Sequence, residues 1–132
     1  PNFATGKAAV GITKNAKVSK HALVNANYAC AGNHEHTTFD TTKGRPYMEG
    51  HHLIPCTYTN AKYYWDNQGI NIDCQANIVC LCPTCHRQIH YGSDNAKRTL
   101  IEKLYEESKD KLKSVGLTLT LEELLKLYSI NV

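Results

Sequence analysis

The chain has 132 residues, enough for one domain with a modest hydrophobic core. Its 42% hydrophobic and 20% charged residues exclude an intrinsically disordered chain, and no apolar run has the length of a membrane span. The excess of 15 Lys and Arg over 12 Asp and Glu permits a polyanionic partner without requiring one. No signal peptide is visible, and because the chain begins at Pro1 we interpret it as a fragment or a processed chain.

Helical and strand-like patterns alternate after a weakly patterned start. We expect residues 1–14 to be an arm or linker and residues 15–132 to form a single domain. Apolar residues at roughly helical spacing predict a short helix over 16–28. Two strands are predicted, over 46–54 and 76–81, with a long loop between them at 56–75 and a helix over 85–91.

The C-terminal third predicts two further helices. The first covers 95–115 and is ended by Gly116. Its predicted buried face consists of Leu100, Ile101, Leu104, Tyr105, Ser108 and Leu112. Thr120 and Glu123 form a capping box that opens a final helix, which ends at about Tyr128.

The cysteines predict a metal site rather than a disulfide framework. The chain contains Cys30, Cys56, Cys74, Cys80, Cys82 and Cys85. Four of them crowd into twelve residues, which is awkward for disulfides, and nearby histidines favour zinc. A structural zinc implies a reducing environment, so we expect a cytoplasmic protein.

The Cys82-x-x-Cys85 pair is half of a zinc site and needs two more ligands. Cys30 and His36 are the favoured second half, with His34 as the alternative to His36. The other three cysteines remain without a functional role, and the one at 80 is expected to be buried in a strand.

Four histidines have the spacing of a second metal site. His86 and His90 are four residues apart and share one face of a helix. His51 or His52, at the end of a facing strand, would complete the site. Strict alternation points these two to opposite faces. Either the backbone bends there, with Gly50 supplying flexibility, or one histidine binds a metal while the other takes a proton from water.

These motifs resemble the HNH endonuclease family, in particular its restriction-endonuclease branch. The matching residues are Glu-x-His-His-Leu-Ile-Pro at 49–55, the Asn-Ile-Val that follows at 77–79, and Cys-Pro-x-Cys-His-Arg-x-Ile-His at 82–90. The resemblance implies an α+β fold with a ββα-metal core at about 45–92, a structural zinc site and flanking C-terminal helices at about 95–129.

The resemblance also implies residue roles. His52 would be the general base that activates water for attack on a phosphate, and Asn77 would orient the loop carrying it. One catalytic divalent cation, with Mg²⁺, Mn²⁺ or Ni²⁺ as the candidates, would be held by His51, His86 and His90.

Several side chains near the motif are candidates for DNA contact or support. Arg87, Lys43, Arg45 and Lys62 could each reach a phosphate, which would give affinity without sequence choice. Glu49 either positions a basic residue or water at the site, or lies on the strand surface. The cluster Tyr63, Tyr64 and Trp65 either stacks on bases or packs the predicted loop onto the body, with packing favoured for the tryptophan.

The predicted function is metal-dependent hydrolysis of DNA phosphodiester bonds by the cleavage domain of a restriction enzyme. One alternative is a nucleic-acid-binding module that is stabilised by zinc and has no catalytic activity. The other is an RNA-directed or toxin-like nuclease. The expected partners are double-stranded DNA, a second copy of the chain in a homodimer, and a recognition domain outside this sequence, with no membrane association.

Overall fold

The structure is a computed structural model that describes residues 3–4, 11–12 and 14–131. Strands β1 (Phe3–Ala4) and β2 (Gly11–Ile12) pair antiparallel. The rest of the predicted arm at residues 1–14, apart from Lys14, lies outside the described residues.

Helix α1 (Ala16–Asn25) is shorter than the helix predicted over 16–28. The Asn15 side chain caps its start by accepting from the Lys17 N–H. Asn27 and Tyr28 have φ angles of 52° and 54°, in the left-handed region, so the helix cannot continue to residue 28.

The central sheet consists of β3 (Glu49–His52) and β4 (Ile78–Leu81), which pair antiparallel. The strand predicted over 46–54 is shorter because Pro46 bridges to Asp40 and the Tyr47 N–H donates to Phe39, away from β4. The strand predicted from residue 76 begins at Ile78, since a 3₁₀ turn (Gln75–Asn77) precedes it.

The prediction of a long loop over 56–75 is wrong, because helix α2 (Tyr58–Gln68) lies inside it. Thr57 caps its start, and Gly69 ends it in a left-handed conformation with φ of 69°. Only Ala61 and Tyr64 of this helix are buried. Two buried residues in eleven are too few to give a recognisable helical periodicity in the sequence.

Three further helices complete the described chain: α3 (Pro83–Tyr91), α4 (Asp94–Ser114) and α5 (Leu121–Leu127). Five of the six residues predicted for the inner face of α4 are buried, with Tyr105 half-buried. The predicted capping box between Thr120 and Glu123 is confirmed. No helix within the described part of the chain is both long and apolar enough to cross a bilayer.

The two faces of the β3–β4 sheet are covered by different helices. Helix α1 packs on the face of Gly50, where a Cβ atom would lie 2.1 Å from the Ser19 Oγ, so a larger residue there would force that hydroxyl to move. Helix α3 packs on the opposite face, where His86 contacts Glu49. This small antiparallel sheet with a helix across it confirms the predicted α+β fold with a ββα core.

Candidate metal centres and active site

The first cluster brings together Cys30, His36, Cys82 and Cys85, whose donor atoms all lie within 4.8 Å of one another. The His36 Nδ1 is 3.5 Å from the Cys82 Sγ and 3.4 Å from the Cys85 Sγ. A tetrahedral zinc ion, ~2.3 Å from sulfur and ~2.0 Å from nitrogen, separates such ligands by about 3.5 Å. The donor set therefore fits zinc, and His36 rather than His34 belongs to this cluster.

The start of helix α3 builds half of this cluster. Cys82 is the N-cap residue, Pro83 follows at the first helical position, and the Cys82 Sγ accepts from the Cys85 N–H at 3.4 Å. The Cys30 Sγ accepts from the Cys82 N–H at 3.3 Å. Burial alone would raise the pKa of Cys30, but hydrogen bonds from the Cys82 and Asn33 backbones lower it to about 7. A low pKa favours the thiolate that metal binding needs.

The remaining cysteines, Cys56, Cys74 and Cys80, lie outside the cluster and form no disulfide. Burial raises the pKa of Cys56 to about 11 and that of Cys80 to about 12. Both are therefore poor nucleophiles, as expected for buried structural thiols. The expectation that Cys80 is buried in a strand is confirmed.

The second cluster consists of His51, His86 and His90, whose rings surround one point at centroid distances of 5.0–5.2 Å. The Nε2 atoms of His86 and His90 are 3.3 Å apart. Two nitrogens that bind one ion at ~2.1 Å, with a right or tetrahedral angle between them, lie about 3.0–3.4 Å apart. The three imidazoles therefore fit one divalent cation, with further positions open on the exposed side of His90.

Burial keeps the innermost of these histidines neutral. His51 is 5% exposed, and desolvation, reinforced by the neighbouring His86 and His90, lowers its pKa to about 3. Burial also lowers the pKa of His90. A neutral imidazole offers the lone pair that a metal requires, so these shifts favour metal binding at neutral pH.

Glu49 fixes the orientation of His86. Its Oε1 lies 2.9 Å from the His86 Nδ1, and its Oε2 accepts from the Tyr47 hydroxyl at 2.7 Å. The hydrogen bond from Tyr47, followed by that from His86, lowers the pKa of Glu49. An ionised carboxylate on Nδ1 directs the His86 Nε2 lone pair toward the cluster, as carboxylates beside metal-binding histidines commonly do.

Tyr128, which follows α5, supports His51 and was missed by the sequence analysis. Its hydroxyl donates to the Leu53 carbonyl at 2.5 Å and lies 2.8 Å from the His51 Nε2. Because the single hydroxyl hydrogen is used, the oxygen accepts from Nε2–H, and the lone pair of the neutral His51 ring lies on Nδ1. Nothing in the local sequence signals a contact across 77 residues.

His52 points away from the cluster, to the opposite face of an unbroken strand. The antiparallel register continues through His51 and through the pair His52–Ile78, so the backbone does not bend. The His52 Nε2 lies 2.9 Å from the Oδ1 of Asp73, a buried carboxylate that the sequence analysis also missed. The sequence left two alternatives, a bent backbone or separate roles for His51 and His52. This geometry is compatible with separate roles.

Asn77 is fully buried and joins two loops. Its Oδ1 accepts from the Ile54 N–H at 2.8 Å, and its Nδ2 donates to the carbonyls of Ile54 and Ile72 at 3.1 and 2.8 Å. One loop follows His52 and the other leads into Asp73. The amide therefore holds both members of the His52–Asp73 pair in place through their backbones.

Two of the candidate DNA contacts lie in one groove, and a third lies beside the histidine cluster. Arg87 is exposed, and its charge contributes to lowering the pKa of Glu49. Lys43 and Arg45 line a groove of about 440 Å³ between α1 and residues 41–48. The Arg45 guanidinium lies over the Tyr28 ring, 5.1 Å from its centroid, and donates to the Tyr28 hydroxyl.

The other candidate contacts lie on α2. Lys62 pairs with Asp66 at 3.0 Å on the helix surface. Tyr64 is buried in the core, whereas Tyr63 and Trp65 are 55% and 44% exposed. Tyr64 therefore packs against the body, while the choice between base stacking and packing for Trp65 stays a prediction.

Comparison with known proteins agrees with this geometry. A family model described as HNH endonuclease matches residues 30–93, a stretch that contains both clusters from Cys30 to His90. Residues 30–93 belong to the HNH endonuclease family. The HNH segment thus includes β3, α2, β4 and α3, while α4 and α5 follow it.

The chain is also similar to part of a curated restriction enzyme. Over 76 residues the chain is 41% identical to the Type IV methyl-directed restriction enzyme EcoKMcrA of Escherichia coli (strain K12). This alignment covers 58% of the chain and 23% of that enzyme, so the chain matches less than a quarter of the relative's length. The HNH chain is therefore similar to one part of a restriction enzyme.

Proposed function

We propose that this HNH chain is a metal-dependent endonuclease domain that hydrolyses DNA phosphodiester bonds. The observation that carries the proposal is the pair of adjacent histidines on opposite faces of one unbroken strand. His51 completes a cluster of three imidazoles, while His52 pairs with a buried carboxylate. A hydrolytic site needs both a metal ligand and a separate proton acceptor close together, and this arrangement supplies them.

His51, His86 and His90 would hold the divalent cation, either Mg²⁺, Mn²⁺ or Ni²⁺. When bound, the cation stabilises negative charge on the scissile phosphate and on the leaving 3′ oxygen. Glu49 and Tyr128 orient His86 and His51, so the donor nitrogens are directed before any ion arrives.

His52 is proposed to remove the proton from the attacking water. Its side chain is 19% exposed, which lets water reach the ring while its carboxylate partner stays buried. The oxygen of this water bonds to phosphorus as the bond to the 3′ oxygen breaks. Asn77 limits movement of the base because it holds the loop directly after His52.

A structural zinc is proposed for Cys30, His36, Cys82 and Cys85. Three of these ligands are buried, and with four protein donors the site is closed to substrate. This zinc would join the 30–36 segment to the start of α3, the helix that carries two of the catalytic-metal ligands.

Arg87, Lys43 and Arg45 are proposed to contact DNA phosphates. Arg87 lies near Glu49 and hence near the proposed cation, while the other two line the groove beside α1. Contacts of this kind contribute affinity that falls as salt rises, and they do not select a sequence.

The resemblance to part of a restriction enzyme supports a role as a cleavage domain. The relative extends far beyond the aligned region, so in that enzyme the matching segment is one portion of a larger protein. We propose that target recognition lies in a separate domain, that two copies together cut both strands, and that the protein acts on double-stranded DNA in the cytoplasm.

Plasmid cleavage tests this proposal. Purified protein is incubated with supercoiled plasmid and Mg²⁺, Mn²⁺ or Ni²⁺, and nicked and linear products are quantified for wild type, His52→Ala and His21→Ala. His52→Ala should lower the cleavage rate roughly 10²–10⁴-fold, the usual contribution of a general base. His21 is exposed and outside both clusters, so its variant should match wild type.

The alternatives give different outcomes. If wild type and His52→Ala bind DNA equally and neither cuts it under any metal, the domain is a binding module. A labelled RNA duplex in parallel reactions distinguishes an RNA-directed nuclease, since faster cleavage of RNA than of DNA would contradict the proposed substrate.

A further inference from the structure

We propose that Asp73 is a positioning residue that holds His52 in the tautomer with its Nδ1 available to accept a proton. The inference rests on the proposed function only for the catalytic purpose of His52. The pairing itself is a property of the folded chain and can be measured without any nuclease activity.

The geometry of the pair is that of a donated hydrogen bond. The Asp73 Oδ1 lies 2.9 Å from the His52 Nε2, and the carboxylate is 5% exposed. An ionised carboxylate can only accept, so the shared hydrogen belongs to Nε2. A neutral imidazole with hydrogen on Nε2 carries its lone pair on Nδ1, which makes Nδ1 the nitrogen able to accept a proton from water.

Asp73 is itself held by contacts on several sides. Its Oδ2 accepts from the Asn15 backbone N–H at 2.7 Å, directly before α1, and its own N–H donates to the Asn71 Oδ1 at 2.9 Å. Asn77 fixes the preceding residue through the Ile72 carbonyl. The carboxylate therefore cannot swing away from His52 without losing the Asn15 N–H, and the backbone that carries it is held by Asn71 and Asn77.

A structural role at the start of α1 accounts for only one oxygen of this carboxylate. The Oδ2 accepts from the Asn15 N–H, while the Oδ1 lies against His52. Asp73 does not belong to the three-histidine cluster, which lies on the opposite face of the strand. The partner of the Asp73 Oδ1 is His52. The carboxylate orients the His52 ring and would stabilise the positive charge of the ring once it has taken a proton.

The first test reads the tautomer directly. Zinc-loaded protein with ¹⁵N-labelled histidine is studied by NMR at one fixed pH, with the His52 signals assigned by their loss in His52→Gln. Wild type should show a protonated Nε2 and an unprotonated Nδ1. In Asp73→Asn the amide oxygen stays with the Asn15 N–H, so the NH₂ faces His52 and the ring should switch to the Nδ1–H tautomer.

Two further variants make this test decisive. Asp73→Ala, which offers no acceptor, should give a mixture of tautomers, and Asp66→Asn, which changes an exposed carboxylate on α2, should leave the wild-type pattern. If His52 keeps its wild-type tautomer in both Asp73 variants, the proposal is overturned.

The second test asks whether Asp73 acts through His52. Under single-turnover conditions Asp73→Asn should lower the cleavage rate constant roughly 10²–10⁴-fold, because the wrong tautomer removes the contribution of a general base. DNA affinity and zinc content should stay unchanged. Added to His52→Ala, the same substitution should cause no further loss. An equal loss in both backgrounds would show that Asp73 acts independently of His52 and would contradict the proposal.

The two tests also separate this inference from the proposed function. If wild type does not cut any nucleic acid, the nuclease proposal fails, and the NMR result alone then decides whether Asp73 sets the His52 tautomer. If wild type cuts and the tautomer does not respond to Asp73, only the inference about Asp73 fails.

Discussion

The two candidate metal clusters of this chain share helix α3 but are built in opposite ways. The first cluster has three buried cysteine sulfurs and one histidine nitrogen, and four protein ligands leave no position for substrate. The second has three histidine nitrogens, of which only the His51 ring is buried, and leaves positions open. The difference teaches that ligand number and burial, more than ligand proximity, separate a structural site from a reactive one.

The shared helix connects the two candidate clusters directly. Cys82 and Cys85 lie at the first turn of α3, and His86 and His90 follow directly on the same helix. A zinc bound at the start of α3 would therefore also fix the donors of the second cluster. We call the first cluster the closed site and the second cluster the open site. We expect loss of a ligand from the closed site to disturb the open site, whereas loss of a ligand from the open site should leave the closed site intact.

The largest effect is expected from Cys85→Ser, which removes a zinc ligand. Binding of a structural zinc contributes on the order of 10 kcal/mol to folding in small domains, so this variant should lose both zinc and cooperative unfolding. Metal analysis and far-UV circular dichroism measure the two losses. Cys74→Ser, outside the cluster, is the matched control and should retain one zinc per chain. A Cys85→Ser protein with wild-type zinc content would contradict the structural role.

Chelation should have a smaller effect than Cys85→Ser and should distinguish the two sites by how fast each releases its ion. Brief treatment with EDTA is expected to abolish cleavage while the far-UV spectrum and bound zinc stay unchanged, because the open site exchanges its ion faster than the closed one. Added Mn²⁺ should restore the rate. If loss of cleavage always accompanies release of zinc and unfolding, the contrast between a closed and an open site is wrong.

Asn77→Ala should lower the free energy of unfolding by roughly 3 kcal/mol. It leaves two backbone groups of Ile54 and the carbonyl of Ile72 without their buried partner, at about 1–3 kcal/mol for each unsatisfied group. Urea denaturation measures the change. Asn67→Ala removes one exposed hydrogen bond on α2 and should change stability by only a few tenths of a kcal/mol. An equal change in the free energy of unfolding for the two variants would contradict the role of Asn77 in holding the two loops.

Tyr128→Phe should have the smallest effect, about a tenfold loss of Mn²⁺ affinity at the open site. Without the hydroxyl, the His51 Nε2–H loses its acceptor, and loss of an outer partner typically weakens metal binding by 10–100-fold. Calorimetric titration of zinc-loaded protein with Mn²⁺ measures the affinity. Tyr91→Phe is the control, since that ring is 79% exposed. Unchanged affinity in Tyr128→Phe would mean that His51 is oriented by packing alone.

Local spacing was enough to predict many of the side chains that the structure brings together in the two candidate clusters. His86 and His90 share a helix face because they are four residues apart, and Cys82 and Cys85 meet at a helix start because two residues separate them. The adjacent histidines 51 and 52 fall on opposite faces because side chains alternate along a strand. Each of these relations depends only on the repeat of one secondary-structure element, which the order of residues determines.

The tertiary structure alone decided the partners of those histidines and the path between the strands. Asp73 reaches His52 across 21 residues, and Tyr128 reaches His51 across 77, through loops and helix ends that have no repeat to read. Helix α2 was not predicted because only Ala61 and Tyr64 are buried, which gives no helical periodicity in the sequence. Its ends are defined by the caps Thr57 and Gly69. Sequence spacing determines which side chains share a face, whereas packing of separate elements determines which atoms those side chains meet.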